Sequence, residues 1–380
     1  MTTLRHGPPL RRITRQFDIG PHAQAAAEPP VVWRQIDGGR RSPAPPPAFM
    51  FGGADPAMAR ALFGQIDASP IGCFAIDDAA VGPHGILVRD DSAFYGETIG
   101  TPRQEAATVA DWLNAQAVTT GQASQTLARF GAGAQDAATL LTDIMPRLWV
   151  LAAAGYDLGR LALLIPADAH PDTKPLLRAA GLLDAQLLAP DLPGTVIRAP
   201  RLLAPTGLRD RARFSPHMGE ATRFWTDRVR AGLGLPPPQP GRALFLSPRD
   251  TAEPSGVAHW QDIEAAAVAR GLTVIHPAGL SLAERLATFG EADCLLGFDG
   301  AALMEACIFA PPGIPVCAIR GSTASGVRLA GLAPALGQSI GFVFGVGDPD
   351  EPSFPATVDG GALQLALTSL TLGTGTKTPV

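Results

Sequence analysis

From residue 243 onward, short apolar runs alternate with longer stretches of mixed polarity. The runs at 243–247, 273–275, 294–296 and 315–319 are too short for helices and are bounded by polar or turn residues, so they predict buried strands. The stretches 262–270, 282–290 and 302–309 carry helical spacing. Strands that are apolar throughout, rather than alternating, belong to a parallel sheet covered on both faces. Crossovers of this length fit a doubly wound domain. A last helix, 361–369, covers this domain or crosses back to the first.

Upstream the pattern is similar but less regular. Residues 104–114, 136–154 and 174–180 read as helices, and 161–166, 195–198 and 201–204 as strands. Before them, 73–76 and 85–88 are short strands separated by a turn, and 70–100 reads as a small β-rich module. Residues 53–67 predict a short surface helix. The run Leu235-Pro236-Pro237-Pro238-Gln239-Pro240-Gly241 is a linker, because proline fixes φ and removes donors while glycine loosens the chain. Residues 1–50, with Ser42-Pro43-Ala44-Pro45-Pro46-Pro47, predict an extended, mobile arm. The expected organisation is an arm over 1–50, an α/β domain over 51–234, the linker 235–241, a second α/β domain over 242–350, and a helix and tail over 351–380. The expected fold class is α/β, with two Rossmann-like domains facing a cleft and the β-rich module at the N-terminal side.

A chain of 380 residues fits two cores better than one. Its net charge of −5 argues against a nucleic-acid or anionic-membrane footprint. The four cysteines, Cys73, Cys294, Cys307 and Cys317, form no CxxC and sit mostly in apolar runs, which predicts buried thiols in a reducing compartment. Arg5, Arg11, Arg12 and Arg15 are not followed by an apolar signal core, and no stretch approaches a membrane span. The expected location is the cytoplasm, or the cytoplasmic surface of the inner membrane.

Three places carry candidate chemistry. Arg249 follows the first strand of the second domain, where a guanidinium can clamp a phosphate or pair with Asp250 or Glu253. The run Gly297-Phe298-Asp299-Gly300-Ala301-Ala302-Leu303 is a strand, a tight turn and a helix start. Its glycines permit close backbone approach, and the helix offers N–H groups to an anion. Asp299 reads as a sugar ligand or a helix cap, and Glu305 as a cleft residue or a partner of the helix dipole. In the first domain, Asp143 and Arg147 are four apart on one helical face, as a functional pair or an ordinary salt bridge, and Pro146 bends the helix between them. Weaker signals are Gly131-Ala132-Gly133, the Asp90-Asp91 pair near Tyr95 and Glu97, and Asp348-Pro349-Asp350. Each reads better as a loop or turn than as a nucleotide or metal site. The histidines, among them His84, His170, His217, His259 and His276, are scattered and form no pair at ligand spacing.

Taken in order, several of these pieces resemble the glycosyltransferases of family 61, the group that includes bacterial capsular polysaccharide biosynthesis proteins. The matching stretches are Leu244-Phe245-Leu246-Ser247-Pro248-Arg249, the helix 279–289, the strand and turn 292–303, and Phe309-Ala310-Pro311-Pro312-Gly313. In the first domain Asp143-Ile144-Met145-Pro146-Arg147-Leu148 is similar to the family's Asp-x-x-Pro-Arg-Leu helix. The resemblance implies an inverting transferase that takes a sugar from a nucleotide-sugar donor to a saccharide acceptor. It places Arg249, Gly297, Gly300, Ala301 and Glu305 at the donor, Arg147 and Thr139 at the substrate, and Asp299 and Asp143 as catalytic carboxylates. The nucleotide-sugar is a co-substrate, with no further cofactor or metal expected, and partners are the saccharide acceptor, a second copy or a polysaccharide-assembly protein. The chain departs from the family pattern at Thr139-Leu140, where His-Trp is usual, at Asp299 in place of His, and at Glu305 in place of Asn. A second arginine expected soon after Arg249 is absent from 251–256. The alternative is therefore a non-catalytic relative acting as an interaction partner in polysaccharide assembly.

Overall fold

The computed structural model describes residues 5–6, 10–19, 31–54, 60, 62–63, 65–82, 86–95, 108–111, 113–114, 120–123, 125–130, 136–165, 169–188, 195–210, 213–249, 257–321, 328–347 and 356–373. Gly131-Ala132-Gly133, His84, Glu97, Asp348-Pro349-Asp350, and the segment 250–256 with Asp250 and Glu253 lie outside them. The fold is mixed α/β and divides into two compact units, each built from more than one stretch of chain.

Unit 1 comprises Met1–Arg40, Ala68–Asp210 and Arg223–Gly232. Its sheet includes β1 (Arg15–Asp18), β2 (Val31–Asp37), β3 (Ile71–Val81), β4 (Leu87–Arg89), β5 (Ser92–Tyr95), β6 (Leu127–Arg129), β7 (Ala162–Leu164), β8 (Leu187–Leu188) and β9 (Val196–Pro205). The order is β8-β7-β6-β9-β3-β4-β5-β1, with β2 also on β3. Strands β6 to β9 pair in parallel, as continuous apolar runs do. Beyond β9 the sheet turns antiparallel through β3, β4 and β5.

This corrects the separate β-rich module expected over 70–100. Strand β3 is buried along most of its length and is part of the main sheet of unit 1, its edge paired with β9 from Val81 to Cys73. The two strands expected at 195–198 and 201–204 are one. Pro200 lacks a donor but sits at an exposed position, and Asp78, at φ 50°, lies opposite it in β3. Helix α1 (Arg147–Ala153) and helix α2 (Thr173–Ala179) also belong to this unit. The arm expected over 1–50 is likewise partly ordered sheet, because β1 and β2 each join it.

Helix α3 (Met218–Gly232) is divided between the units at Thr222 and Arg223. Unit 2 comprises Arg41–Asp67, Arg211–Thr222 and Leu233–Val380. Its strands are β10 (Arg242–Leu246), β11 (Thr273–Ile275), β12 (Ala292–Phe298), β13 (Pro315–Arg320) and β14 (Ser339–Phe344). The order β11-β10-β12-β13-β14 is completed by Met50–Gly52 at the edge, and every neighbouring pair is parallel. The proline-rich stretch thus leads into the second unit rather than remaining an arm. Phe49 and Phe51 pack on its core, the Ala48 N–H donates to Ile340 O at 2.7 Å, and the Phe342 N–H donates to Phe49 O at 3.0 Å.

Helices α4 (Trp260–Ala269), α5 (Leu282–Gly290), α6 (Ala301–Phe309), α7 (Arg328–Ala335) and α8 (Gly360–Gly373) complete this unit. Cys294, Leu296 and Phe298 pack with Ile263 of α4 and Ala366 of α8. Gly297, on the opposite face of the same strand, lies against Leu303 of α6. Helices therefore cover both faces, as uninterrupted apolar strands require. The closing helix expected at 361–369 packs on this unit's core. Ser281 caps α5 through a reciprocal capping box with Glu284.

Leu296 is fully buried at the centre of this core. Leu296→Ala is expected to lower unfolding stability by about 3 kcal/mol through lost burial and a residual cavity. Equilibrium denaturation measures it.

Candidate functional site

In unit 2 the chain runs from β10 to β11 on one side, then returns to place β12 on the other side of β10. The connections diverge between β10 and β12, and in open parallel sheets ligands bind outside the carboxyl ends of strands at such a point. Ser247-Pro248-Arg249 leave the end of β10, and Asp299-Gly300 leave the end of β12.

Arg249 is exposed, and its backbone N–H donates to Ser247 Oγ at 3.3 Å. No group among the described residues bonds its guanidinium. Gly300 is the N-cap residue of α6 in extended conformation (φ 173°), and among the described residues no side chain caps the helix. The first amides of α6 therefore lack a side-chain acceptor, as an anion site at a helix start requires.

The two glycines of the turn differ in purpose. A Cβ on Gly297 would lie 3.2 Å from Leu246 Cβ and 3.4 Å from Leu303 Cδ1, so this glycine lets β12 pack against β10 and α6. A Cβ on Gly300 would meet nothing within 4 Å. Ala301 is exposed at the helix start.

Asp299 does not cap α6. Its carboxylate pairs with Arg320, the last residue of β13, whose side chain is almost fully buried. Burial pushes the Asp299 pKa up, and the guanidinium opposes that shift. Glu305 is buried and accepts from Arg285 Nε at 2.9 Å, while Arg285 Nη1 donates to Leu280 O at 2.9 Å. Its charge ties α6 to α5.

In unit 1 the helix expected over 136–154 is broken into Ala137–Thr139, a π-turn at Leu140–Ile144, and α1. Pro146 has no N–H to continue the α-helical ladder, and one wide turn absorbs the interruption, with the Met145 N–H donating to Leu140 O at 2.9 Å. The wide turn changes which atoms of the expected i,i+4 partners meet. Arg147 Nε donates to the Asp143 carbonyl at 3.0 Å rather than to its carboxylate. The carboxylate instead accepts both arms of Arg209, with Arg209 Nε to Asp143 Oδ1 at 2.7 Å and Arg209 Nη2 to Oδ2. Thr142 Oγ1 also lies 3.0 Å from Asp143 Oδ1. Burial lowers the Arg147 pKa to about 10, against the pull of Asp143, so the side chain stays charged at neutral pH. Thr139 is occupied with Asp136, to which its Oγ1 donates at 2.7 Å.

The structure thus brings Arg249, Gly300, Ala301 and Asp299 to one edge of unit 2, and Asp143 and Arg147 together in unit 1. Glu305 and Thr139 are engaged in helix-tying and capping contacts. Asp91, of the Asp90-Asp91 pair, accepts from Arg15 and Thr14, which lower its pKa to about 2. Among the described residues, no three His, Cys, Asp or Glu side chains converge on a metal position. All four cysteines are buried thiols. Among the described residues no helix is long and apolar enough to cross a membrane.

The sequence reading did not single out Arg320, Arg209 or Arg285. Arg320 left a signal: a charge immediately after the apolar run 316–319. Arg209 left none, because its partner is Asp143, far away in sequence.

Residues 138–317 match the family model of Glycosyltransferase 61. This central region covers somewhat under half of the chain and includes Thr139, Asp143, Arg147, Arg209, Arg249, Gly297, Asp299 and Glu305, while Arg320 lies just beyond it. No curated protein matches the chain.

Gly297→Val is expected to destabilise the protein by about 1–3 kcal/mol through overpacking. Gly300→Ala should leave stability within about 0.5 kcal/mol, since it adds a methyl to open space. Paired denaturant titrations distinguish the two glycines.

Proposed function

We propose that the protein is a glycosyltransferase that moves a sugar from a nucleotide-sugar donor to a saccharide acceptor, with inversion, in capsular or extracellular polysaccharide synthesis. The observation that carries this reading is the carboxyl edge of β10 and β12. There an arginine with no partner among the described residues and an uncapped helix start lie at the topological switch point, inside the stretch that matches family 61. A nucleoside diphosphate suits that edge: Arg249 clamps its phosphates, and the α6 amides take the remaining oxygens.

In this reading unit 2 is the donor side and unit 1 the acceptor side, the two-domain plan of GT-B-like transferases. Inversion needs no covalent intermediate. A carboxylate accepts the proton of an acceptor hydroxyl, while Arg249 and the backbone donors stabilise the departing nucleotide. Asp143 and Asp299 are the two carboxylates that can serve there, one as the base and the other as a ligand of the sugar, and Arg147 contributes positive charge beside Asp143. The reading places the protein in the cytoplasm, at or near the inner membrane.

A second reading has its own observation. Both nominated carboxylates are bound to arginines, Asp143 to Arg209 and Asp299 to Arg320. A carboxylate tied in this way is a weaker base, which favours a non-catalytic relative that serves polysaccharide assembly as an interaction partner. Turnover of UDP-, GDP- and CMP-sugars with oligosaccharide acceptors separates the two. Nucleotide binding without hydrolysis or transfer supports the second reading, and transfer supports the first.

Arg249→Ala is expected to weaken binding of nucleoside diphosphates and nucleotide-sugars about 10- to 100-fold, because charge-assisted hydrogen bonds contribute roughly 1.5–3 kcal/mol. Titration calorimetry measures it, and unchanged affinity removes Arg249 from the phosphate site.

A further inference from the structure

The inference rests on the nucleotide-sugar reading of the carboxyl edge and concerns a residue just outside the matched stretch. Arg320 is 2% exposed and pairs with Asp299 Oδ2. Both backbones are fixed by neighbouring strands. The Asp299 N–H donates to Ile319 O at 2.9 Å, and the Gly345 N–H donates to the Arg320 carbonyl at 2.7 Å. No other group among the described residues bonds the Asp299 carboxylate, and 15% of that side chain remains exposed. One charged group bears on it, Arg320 approaching from β13. Asp299 in turn adds to burial in raising the pKa of the Cys307 thiol on α6.

We infer that Arg320 is a positioning residue: its guanidinium neutralises Asp299, holds one carboxylate oxygen and leaves the other to accept a hydroxyl of the donor sugar beside the α6 amides. A lone carboxylate at a helix start would repel a diphosphate. The same carboxylate inside an ion pair presents little net charge to the phosphates and keeps its capacity to accept a hydrogen bond. The pairing also works on protonation. Burial favours the neutral acid, which would donate rather than only accept, and Arg320 shifts the balance back toward the carboxylate.

The experiment reads the Asp299 carboxyl directly, by carbon-13 NMR titration of the full chain, in the wild type, Arg320→Gln and Arg320→Lys. The expected result is an upward shift of the Asp299 titration in Arg320→Gln and a return toward the wild-type midpoint in Arg320→Lys. Each unit of upward shift cuts the ionised fraction about tenfold below the midpoint. Turnover of the nucleotide-sugar by Arg320→Gln should then recover as pH rises, where a merely structural defect would be independent of pH.

Should Arg320→Gln not fold, the isosteric Asp299→Asn variant decides. It is expected to bind the nucleoside diphosphate at least as tightly as the wild type, since Arg320 is left uncompensated, and to lose about tenfold in affinity for the nucleotide-sugar relative to the diphosphate, as a single hydrogen bond to a charged group implies. An unmoved titration in Arg320→Gln, or equal loss of both ligands in Asp299→Asn, overturns the inference. A chain that binds no nucleotide contradicts the transferase reading instead, and the titration still decides whether Arg320 governs Asp299.

Discussion

The parallel register of β10 against β12 is the constraint on which the candidate donor site depends. Leu244, Phe245 and Leu246 pair with Leu295, Leu296 and Gly297, so the two strands end within one residue of each other. Because β11 lies on the far side of β10, the chain leaves β10 in one direction and α6 leaves β12 in the other. Open parallel sheets bind ligands at such a divergence, and Arg249 and the first amides of α6 lie at these strand ends. Gly297 is part of the same constraint. A Cβ on it would already lie 3.2 Å from Leu246 Cβ, and a larger side chain would crowd Leu246 and Leu303 at the strand ends.

Charge is handled alike in both units. Asp299 and Glu305 in unit 2, and Asp143 in unit 1, are each satisfied by an arginine supplied from another element. A largely buried carboxylate without such a partner carries a desolvation penalty of several kcal/mol, so these pairings are conditions for folding before they are features of a site. The chain's near-exclusive use of arginine over lysine suits them, since a planar guanidinium can occupy both oxygens of one carboxylate, as Arg209 does with Asp143. Arg249 contrasts with them: it stands exposed at the strand end without a described partner.

The second unit was the more legible in sequence. Its strands are short, uniformly apolar and evenly spaced, and Thr273–Ile275 and Leu282–Gly290 fall where the pattern places them. The first unit hid more, because its sheet is completed by partners far apart in sequence. Nothing local in Ile71–Val81 announces a partner at Val196–Pro205. The sixth strand of unit 2 was hidden for the same reason: a proline-rich stretch reads as an arm until Phe49 and Phe51 are seen on the core. Among site residues, Arg249 and the 297–303 turn were visible through their position after strands. The partners of Asp299 and Asp143 were not, since ion pairs between distant elements leave no spacing rule. The wide turn at Leu140–Ile144 is a further case: helical spacing puts Asp143 and Arg147 on one face, and Pro146 changes which atoms meet.

The central claim is that the shared carboxyl edge of β10 and β12 holds the phosphates of a nucleotide-sugar. Amide hydrogen exchange of the full chain, with and without uridine or guanosine diphosphate, tests it without assuming a sugar or an acceptor. The account predicts slowed exchange concentrated in the peptides spanning 247–249 and 299–304, with β7 and β8 of unit 1 unchanged. Nucleotide binding that leaves those two segments unprotected would contradict it.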